Sequence, residues 1–509
     1  MKKCTLLGLT LFSCLGYSNV VDSTIWKTSD VVQDFKTNYF CNKNLSKKDC
    51  NEDINNMKKY GIDINSLGNT NIKNIKLEKI TYQTTNTFPS TGKITSDVSG
   101  LLILPETKSP KGVIVYYHPT IFDNAGVPSN FNEDNPTSKM LDTIYATIYA
   151  TNGYIVVAPD YIGQGDDYKN YHPYMLYPKQ TVNTAVDMLN SVSNEIRKNY
   201  NLESFDTLNL YSVGYSEGGS YSIWTAKCLG NKEGCQGVNK LDNLYNFRAA
   251  AGLSGAYDIS NTTLNFITSN YAQKLKLYNN LTTAMAKPGL FSYTLMSYLH
   301  YGNTSKTISI DDINKDFFNM KCSILPQKNC NVGDKHYNLS SIFLQKHIPN
   351  KDFTTIFNSA LFKTYPNNKK EVAHYATPPS NNSLYDLFNE KVFSDYELNQ
   401  AMKDADIVNF GEKTKVPLYL FTLDEDSVVS PLNYDKFMQK ANSLVSGFVL
   451  NNNEVITKSI PFIPVKIDIN IIDHLTGPSY ANLFAYKYID NLNNQGVFIN
   501  YDKSNNTKN

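Results

Sequence analysis

Val213-Gly214-Tyr215-Ser216-Glu217-Gly218-Gly219 decides how this chain is read. Before it, Leu208, Leu210 and Val213 alternate as in a buried strand, and after it Ser220 to Leu229 (SYSIWTAKCL) reads as a helix. Ser216 therefore falls on the turn between the two. A serine so placed sits on strained backbone that draws its neighbours together. Glycines two before and two after it, Gly214 and Gly218, relieve that crowding and leave the hydroxyl exposed, and Gly219 extends the clearance. The blander reading is an ordinary glycine-rich turn. An aspartate and a histidine in the right order downstream count against it.

Working outward, Ile80 to Thr85 and Val98 to Leu104 flank the turn-rich Pro89 to Asp97 and read as an antiparallel pair. Val113 to Tyr117 and Tyr154 to Ala158 are continuous apolar runs, as expected of strands buried on both faces. A helix is predicted from Thr181 to Lys198, further strands at Ala249 to Ser254, Val416 to Thr422 and Val465 to Ile472, and a closing helix from Ala481 to Leu492. Strands alternating with helices imply an α/β fold, a mostly parallel sheet with helices on both faces. Residues 258–415 lean helical with few strand signals and read as a large cap inserted into the core, which splits into 19–257, with an Asn- and Lys-rich extension at its start, and 416–509.

The order of these parts resembles the α/β-hydrolase fold, and more narrowly the secretory lipase family of bacterial and fungal ester hydrolases. Four segments carry the resemblance: Asp160-Tyr161-x-Gly163-x-Gly165, His172-Pro173-Tyr174-Met175, the helix with Val186-Asp187-Met188-Leu189, and the stretch around Ser216. It covers roughly 80–257 and 415–492, and it implies a serine carboxylic ester hydrolase working through an acyl-enzyme. Such chemistry needs a nucleophile, a base, an acid that fixes the base's tautomer, and N–H donors for the oxyanion. In this fold the partners follow in the order Ser, Asp or Glu, His, which selects Ser216, Asp426 and His474.

Leu423-Asp424-Glu425-Asp426-Ser427-Val428-Val429 offers three carboxylates. In hydrolases of this fold the acid directly precedes a short x-Val-Val or x-Val-Pro segment, which points to Asp426. Asp424 is expected to shape the turn and Glu425 to point away. One oxyanion donor should be the amide of Glu217, at the start of a helix whose dipole favours negative charge. The other belongs to the loop after the third strand. The family often has glycine after the histidine there, whereas this chain has Pro119, which lacks an N–H, so Thr120 is the better candidate, with Ile121 behind it. His118 and His172 could line the site, though loop positioning is the blander role, and Asp160 is expected to hold its own loop through local hydrogen bonds.

Lys and Arg number 48 against 47 Asp and Glu, a net charge of +1, which gives no field suited to nucleic acid. His300, His336, His347 and His374 lack metal-ligand spacing, and no cofactor or metal is implied. Met1-Lys2-Lys3 followed by the short apolar run Thr5 to Ser13 reads as an export signal within residues 1–18. Leu11-Phe12-Ser13-Cys14 also resembles a bacterial lipobox, with Cys14 lipidated after cleavage. The expected address is a surface or outer-membrane lipoprotein, or a periplasmic or secreted protein. The remaining cysteines fall into three close pairs, Cys41 with Cys50, Cys228 with Cys235 and Cys322 with Cys330, which favours local bridges in an oxidising compartment. A peptidase of the same fold, or a noncatalytic surface protein that kept it, stays open at this point.

Overall fold

The computed structural model describes residues 18–41, 47–68, 71–88, 92–121, 126–131, 141–168, 170, 173–231, 233–268, 290, 294, 297–298, 362–364, 370–372, 394–424, 426, 428–450, 455–458, 474 and 477–495. The expected strand Val465 to Ile472, the amino-terminal segment with Cys14, and Cys322 and Cys330 lie outside these residues, as does most of the expected cap.

Ten strands share one sheet: β1 (Asn19–Lys27), β2 (Asn74–Phe88), β3 (Gly92–Pro105), β4 (Gly112–Tyr117), β5 (Tyr154–Pro159), β6 (Leu208–Tyr215), β7 (Tyr245–Leu253), β10 (Leu418–Leu423), β11 (Val445–Leu450) and β12 (Val455–Lys458). Their spatial order is β1-β2-β3-β5-β4-β6-β7-β10-β11-β12. The six strands from β5 through β11 run parallel, and β1, β2, β3 and β12 add antiparallel edges. A separate hairpin pairs β8 (Phe362–Thr364) with β9 (Lys370–Val372) inside the expected cap. β4, β5 and β10 are buried at every position, as their unbroken apolar runs require.

Side chains leave a strand on alternate faces, so each central strand feeds two cores. Ile114 and Tyr116 of β4 join Val156 of β5 and Val213 of β6 on one face, under α3 (Leu141–Thr151) and α9 (Gly477–Gln495). Val113, Val115 and Tyr117 join Val157 and Leu210 on the other, under α4 (Pro178–Tyr200) and α5 (Glu217–Leu229). Each fully buried aliphatic chain of this kind stabilises the fold by roughly 1.5–3 kcal/mol. The amino-terminal extension contributes β1 at the sheet edge, where its register shifts between Val20 and Asp22, and two helices, α1 (Thr28–Asp34) and α2 (Lys47–Lys59). Past β7 come α6 (Leu264–Thr268), α7 (Tyr396–Asp404) and α8 (Leu432–Gln439). The short run Val445–Leu450 of β11 carries little strand signal of its own. Gly447 interrupts that short run because a Cβ there would sit 2.2 Å from the Tyr434 hydroxyl.

Cys41 is bonded to Cys50 and Cys228 to Cys235. The second bridge joins the last turn of α5 to its exit loop. An unreduced peptide map should recover both pairs, and Cys228 linked to any other cysteine would refute the local pattern. Replacing Cys228 and Cys235 by serine together should lower stability by roughly 2–3 kcal/mol, the amount expected from closing so short a loop in the unfolded chain. The measurement is the urea midpoint.

Candidate active site

β6 hands over to α5 at Ser216, which has φ 58° and ψ −122°. A non-glycine residue in that region stores on the order of 1–3 kcal/mol and persists only where its surroundings dictate it. They do so here through backbone. The Ser216 amide donates to the Leu253 carbonyl at 2.7 Å, and its carbonyl accepts from Gly219 N at 2.9 Å. The turn is tight enough that a Cβ on Gly214 would meet Gly218 O at 2.1 Å, and one on Gly218 would meet Tyr117 O at 2.2 Å. Gly219 lies against β7, where a Cβ would come within 2.6 Å of Leu253 O. Tyr161, Leu176 and Ser254, in the loop after β5, the segment before α4 and the residue after β7, also have positive φ.

His474, three residues before α9, and Asp426, just past β10, converge on this turn. His474 Nε2 lies 2.8 Å from Ser216 Oγ, and Nδ1 lies 2.8 Å from Asp426 Oδ2. The other oxygen of Asp426 accepts the backbone amides of Val428 at 2.9 Å and Val429 at 2.8 Å, which fixes the orientation of the carboxylate. A carboxylate so occupied holds the imidazole proton on Nδ1 and leaves the Nε2 lone pair facing the serine hydroxyl. All three side chains are buried. Asp424 is exposed, its amide bound to Leu450 O at 3.0 Å, and Glu425 lies outside the described residues.

Tyr215, whose contact the sequence did not suggest, supports His474 from behind. Its hydroxyl donates to the His474 carbonyl at 2.9 Å, and the two ring centroids are 5.0 Å apart. Gly477 lets α9 start this close, because a Cβ there would meet Leu423 Cδ1 at 2.7 Å and the Tyr215 hydroxyl at 2.8 Å.

Thr120 is brought to the same place: its hydroxyl donates to Glu217 Oε2 at 2.8 Å. The Glu217 amide opens α5, so the two expected oxyanion donors belong to residues in direct contact. The Ile121 carbonyl accepts from Gln164 Nε2 at 3.2 Å. His118 is fully buried, its ring stacked on Tyr161 with centroids 3.8 Å apart, and its carbonyl accepts from the Tyr161 hydroxyl at 2.8 Å. That is a loop-positioning contact. Asp160 holds more than its own loop: its carboxylate accepts from Ser99 Oγ of β3 at 2.6 Å and from Ser129 N at 2.9 Å, partners far away in sequence. His172, His300, His336, His347 and His374 lie outside the described residues, within which no cluster of His, Cys, Asp and Glu could hold a metal ion. A cavity of about 460 Å³ between Tyr177, Tyr298 and α7 includes none of the three converging side chains.

No protein-family model matches the chain, and no curated protein matches it in sequence. Solved structures do match in fold. A Legionella pneumophila protein, provisionally assigned as a hydrolase, superposes with a TM-score of 0.57 at 17% identity, covering 94% of this chain and 98% of that one. The rice cell wall degrading esterase LipA of Xanthomonas oryzae superposes with a TM-score of 0.51 at 15% identity, covering 94% and 96%. The chain has the α/β-hydrolase fold.

His118 provides a test of burial. Desolvation lowers its pKa to about 4, against weaker opposing hydrogen bonds to the Pro119 and Asp160 carbonyls. A folded-state value below the unfolded one means that the unfolded chain takes up the proton first, so stability is lost as pH falls from about 6.5 towards 4. The stability difference between the wild type and His118→Asn should therefore move in the variant's favour by on the order of 3 kcal/mol across that window. Urea unfolding at paired pH values measures it.

Proposed function

We propose that the protein is an exported serine hydrolase that cleaves carboxylic esters, a lipase or esterase, through an acyl-enzyme. The observation that carries this reading is the unbroken chain from Ser216 Oγ through the His474 ring to Asp426, with both contacts at 2.8 Å. His474 Nε2 takes the hydroxyl proton as Ser216 Oγ bonds to the ester carbonyl carbon. The oxyanion is held by the amides of Glu217 and Thr120 at the positive end of α5. When the tetrahedral centre collapses, the ester C–O bond breaks and the alcohol leaves with the proton from Nε2. Water then repeats the sequence on the acyl-serine, giving the carboxylic acid and restoring the hydroxyl. Asp426 keeps its proton balance throughout and stabilises the imidazolium that forms transiently.

The esterase name of the Xanthomonas oryzae neighbour agrees with this reading, as do the two disulfides with an oxidising compartment. Among the described residues no helix is long and apolar enough to cross a membrane. Attachment, on this proposal, is through lipidated Cys14.

A fluorophosphonate probe should label the folded protein and not Ser216→Ala; equal labelling of the two, or none, removes the enzyme reading. Asp426→Asn should fold normally yet lower turnover by on the order of 10⁴, by analogy with the same substitution in a well-studied serine protease. Asp424→Asn should cost far less, and the reverse ranking would reassign the acid. A panel of esters of increasing acyl length, with one aminoacyl amide, reads the substrate class, and faster turnover of the amide would make the protein a peptidase. Cys14→Ala should move the protein from the membrane fraction to the soluble one. Unchanged partitioning argues for ordinary cleavage of the export signal.

A further inference from the structure

In the reaction above Glu217 acts only through its backbone amide, but its carboxyl is buried in the first turn of α5 and is itself at the centre of a network. Thr120 Oγ1 donates to Oε2 at 2.8 Å, the Leu176 amide points at Oε1 from 3.3 Å, and the Tyr221 hydroxyl makes a very short contact with Oε1. The Tyr221 oxygen also accepts the Leu176 amide more closely, at 2.8 Å, and lies 3.1 Å from the Tyr174 carbonyl.

The hydrogens must be shared out among these contacts. The Tyr174 carbonyl accepts only, and an ionised Glu217 would accept only. Tyr221 has one hydroxyl proton to place between them. With Glu217 ionised, one of the two oxygen–oxygen contacts of Tyr221 holds no hydrogen. With a proton on Oε1 both oxygen–oxygen contacts hold a hydrogen: Glu217 donates to Tyr221, Tyr221 donates to Tyr174, and the two lone pairs of the Tyr221 oxygen receive Glu217 and Leu176. Oε2 remains an acceptor for Thr120.

We propose that Glu217 works as a neutral carboxylic acid that positions Thr120 and the Leu176 segment against the helix of Ser216, and that its ionisation shuts down attack by Ser216. The inference rests on the reading of Ser216 as nucleophile. A carboxylate one residue away would oppose the negative charge that the Glu217 and Thr120 amides are there to receive. Its surroundings agree: burial pushes the carboxyl up to about 7, with hydrogen bonds from Tyr221, Thr120 and Leu176 acting the other way. Beyond Tyr221, the titratable group it acts on is Tyr298, which donates to the Leu176 carbonyl and stands beside Tyr177; Asp404 and Asp406 act on Tyr298 and not on Glu217. No basic side chain among the described residues acts on it.

An imidazole base is neutral on the alkaline side, so the triad by itself gives no loss of rate there. The experiment measures fluorophosphonate labelling and ester kcat/KM from about pH 5.5 to about pH 9.5 for the wild type and Glu217→Gln, whose amide can still donate to Tyr221 and accept from Thr120. In the wild type both rates should fall about tenfold per pH unit above a break near neutrality, and this limb should be missing in Glu217→Gln. An alkaline limb that survives the substitution, or is absent from the wild type, overturns the proposal. Infrared difference spectra of the wild type supply a readout independent of catalysis and of the variant's folding. A protonated-carboxyl band assigned by residue-selective isotope labelling should give way to a carboxylate band through the same pH range, and a carboxylate already present at the acid end overturns the assignment. A chain that shows the protonated band but no labelling at any pH would instead defeat the nucleophile reading and leave the protonation state standing.

Discussion

Everything at the site depends on how closely α5 can approach the end of β4. Gly218 lies against the Tyr117 and His118 carbonyls, so near that a Cβ there would come within 2.2 Å of the first and 2.8 Å of the second. Ser216 beside it has a positive φ, and the bond from its amide to Leu253 O holds it there. Strain of a few kcal/mol is small against the apolar area that α5 buries, with Tyr221, Ile223 and Trp224 all fully covered. The helix packs for its own reasons, and the strained serine is carried along. Positions that look catalytic are therefore fixed by interactions that are structural.

The polar groups around the turn follow from the same closeness. Burial leaves His118 without its charge and pushes the carboxyls of Glu217 and Asp167 upward, to about 7 and about 8, while Asp160 is raised in the same sense. These titrations oppose one another: between about pH 4.5 and 6.5 the neutral imidazole loses stability on acidification while the neutral Glu217 gains it. A flat pH–stability curve would thus hide two large terms of opposite sign. What these groups supply is connection. Asp160 ties β3 to the 126–131 segment, and Glu217 ties the loop after β4 to the segment before α4.

Much of this was legible in the sequence because it is local or periodic. The runs Val113 to Tyr117 and Tyr154 to Ala158 read as strands buried on both faces, since no polar residue interrupts them. The GxSxG turn reads through its glycines, and the order Ser216, Asp426, His474 through the chain direction of the fold. What stayed hidden depends on contacts across the sheet. Helix α3, with the sequence Leu-Asp-Thr-Ile-Tyr-Ala-Thr-Ile-Tyr-Ala-Thr, is rich in residues that favour strands, and the tertiary core overrides them. Nothing in Gly-Tyr-Ser-Glu says that Tyr215 will support His474 from 259 residues away, or that the Glu217 carboxyl will be buried. A glutamate in the first turn of a helix ordinarily reads as a solvated group favoured by the dipole. Asp160 reads as a turn former until its distant serine partners are known.

Ser216 and His474, in contact at the site, are separated by 258 residues, and Asp426, which bonds the other side of the His474 ring, stands 48 residues before it. On the proposed chemistry, a chain still emerging from the ribosome can complete β4, β5 and β6 and even set its serine on the turn while no imidazole exists to activate it. Competence arrives with the last helix, whose residues Tyr480, Leu483 and Phe484 must bury themselves in the core before His474 is held in place. On that proposal, a chain assembled in this order is inert during synthesis. It remains inert in any fragment that ends before α9, so the carboxyl-terminal helix acts as a completion mark for the whole fold.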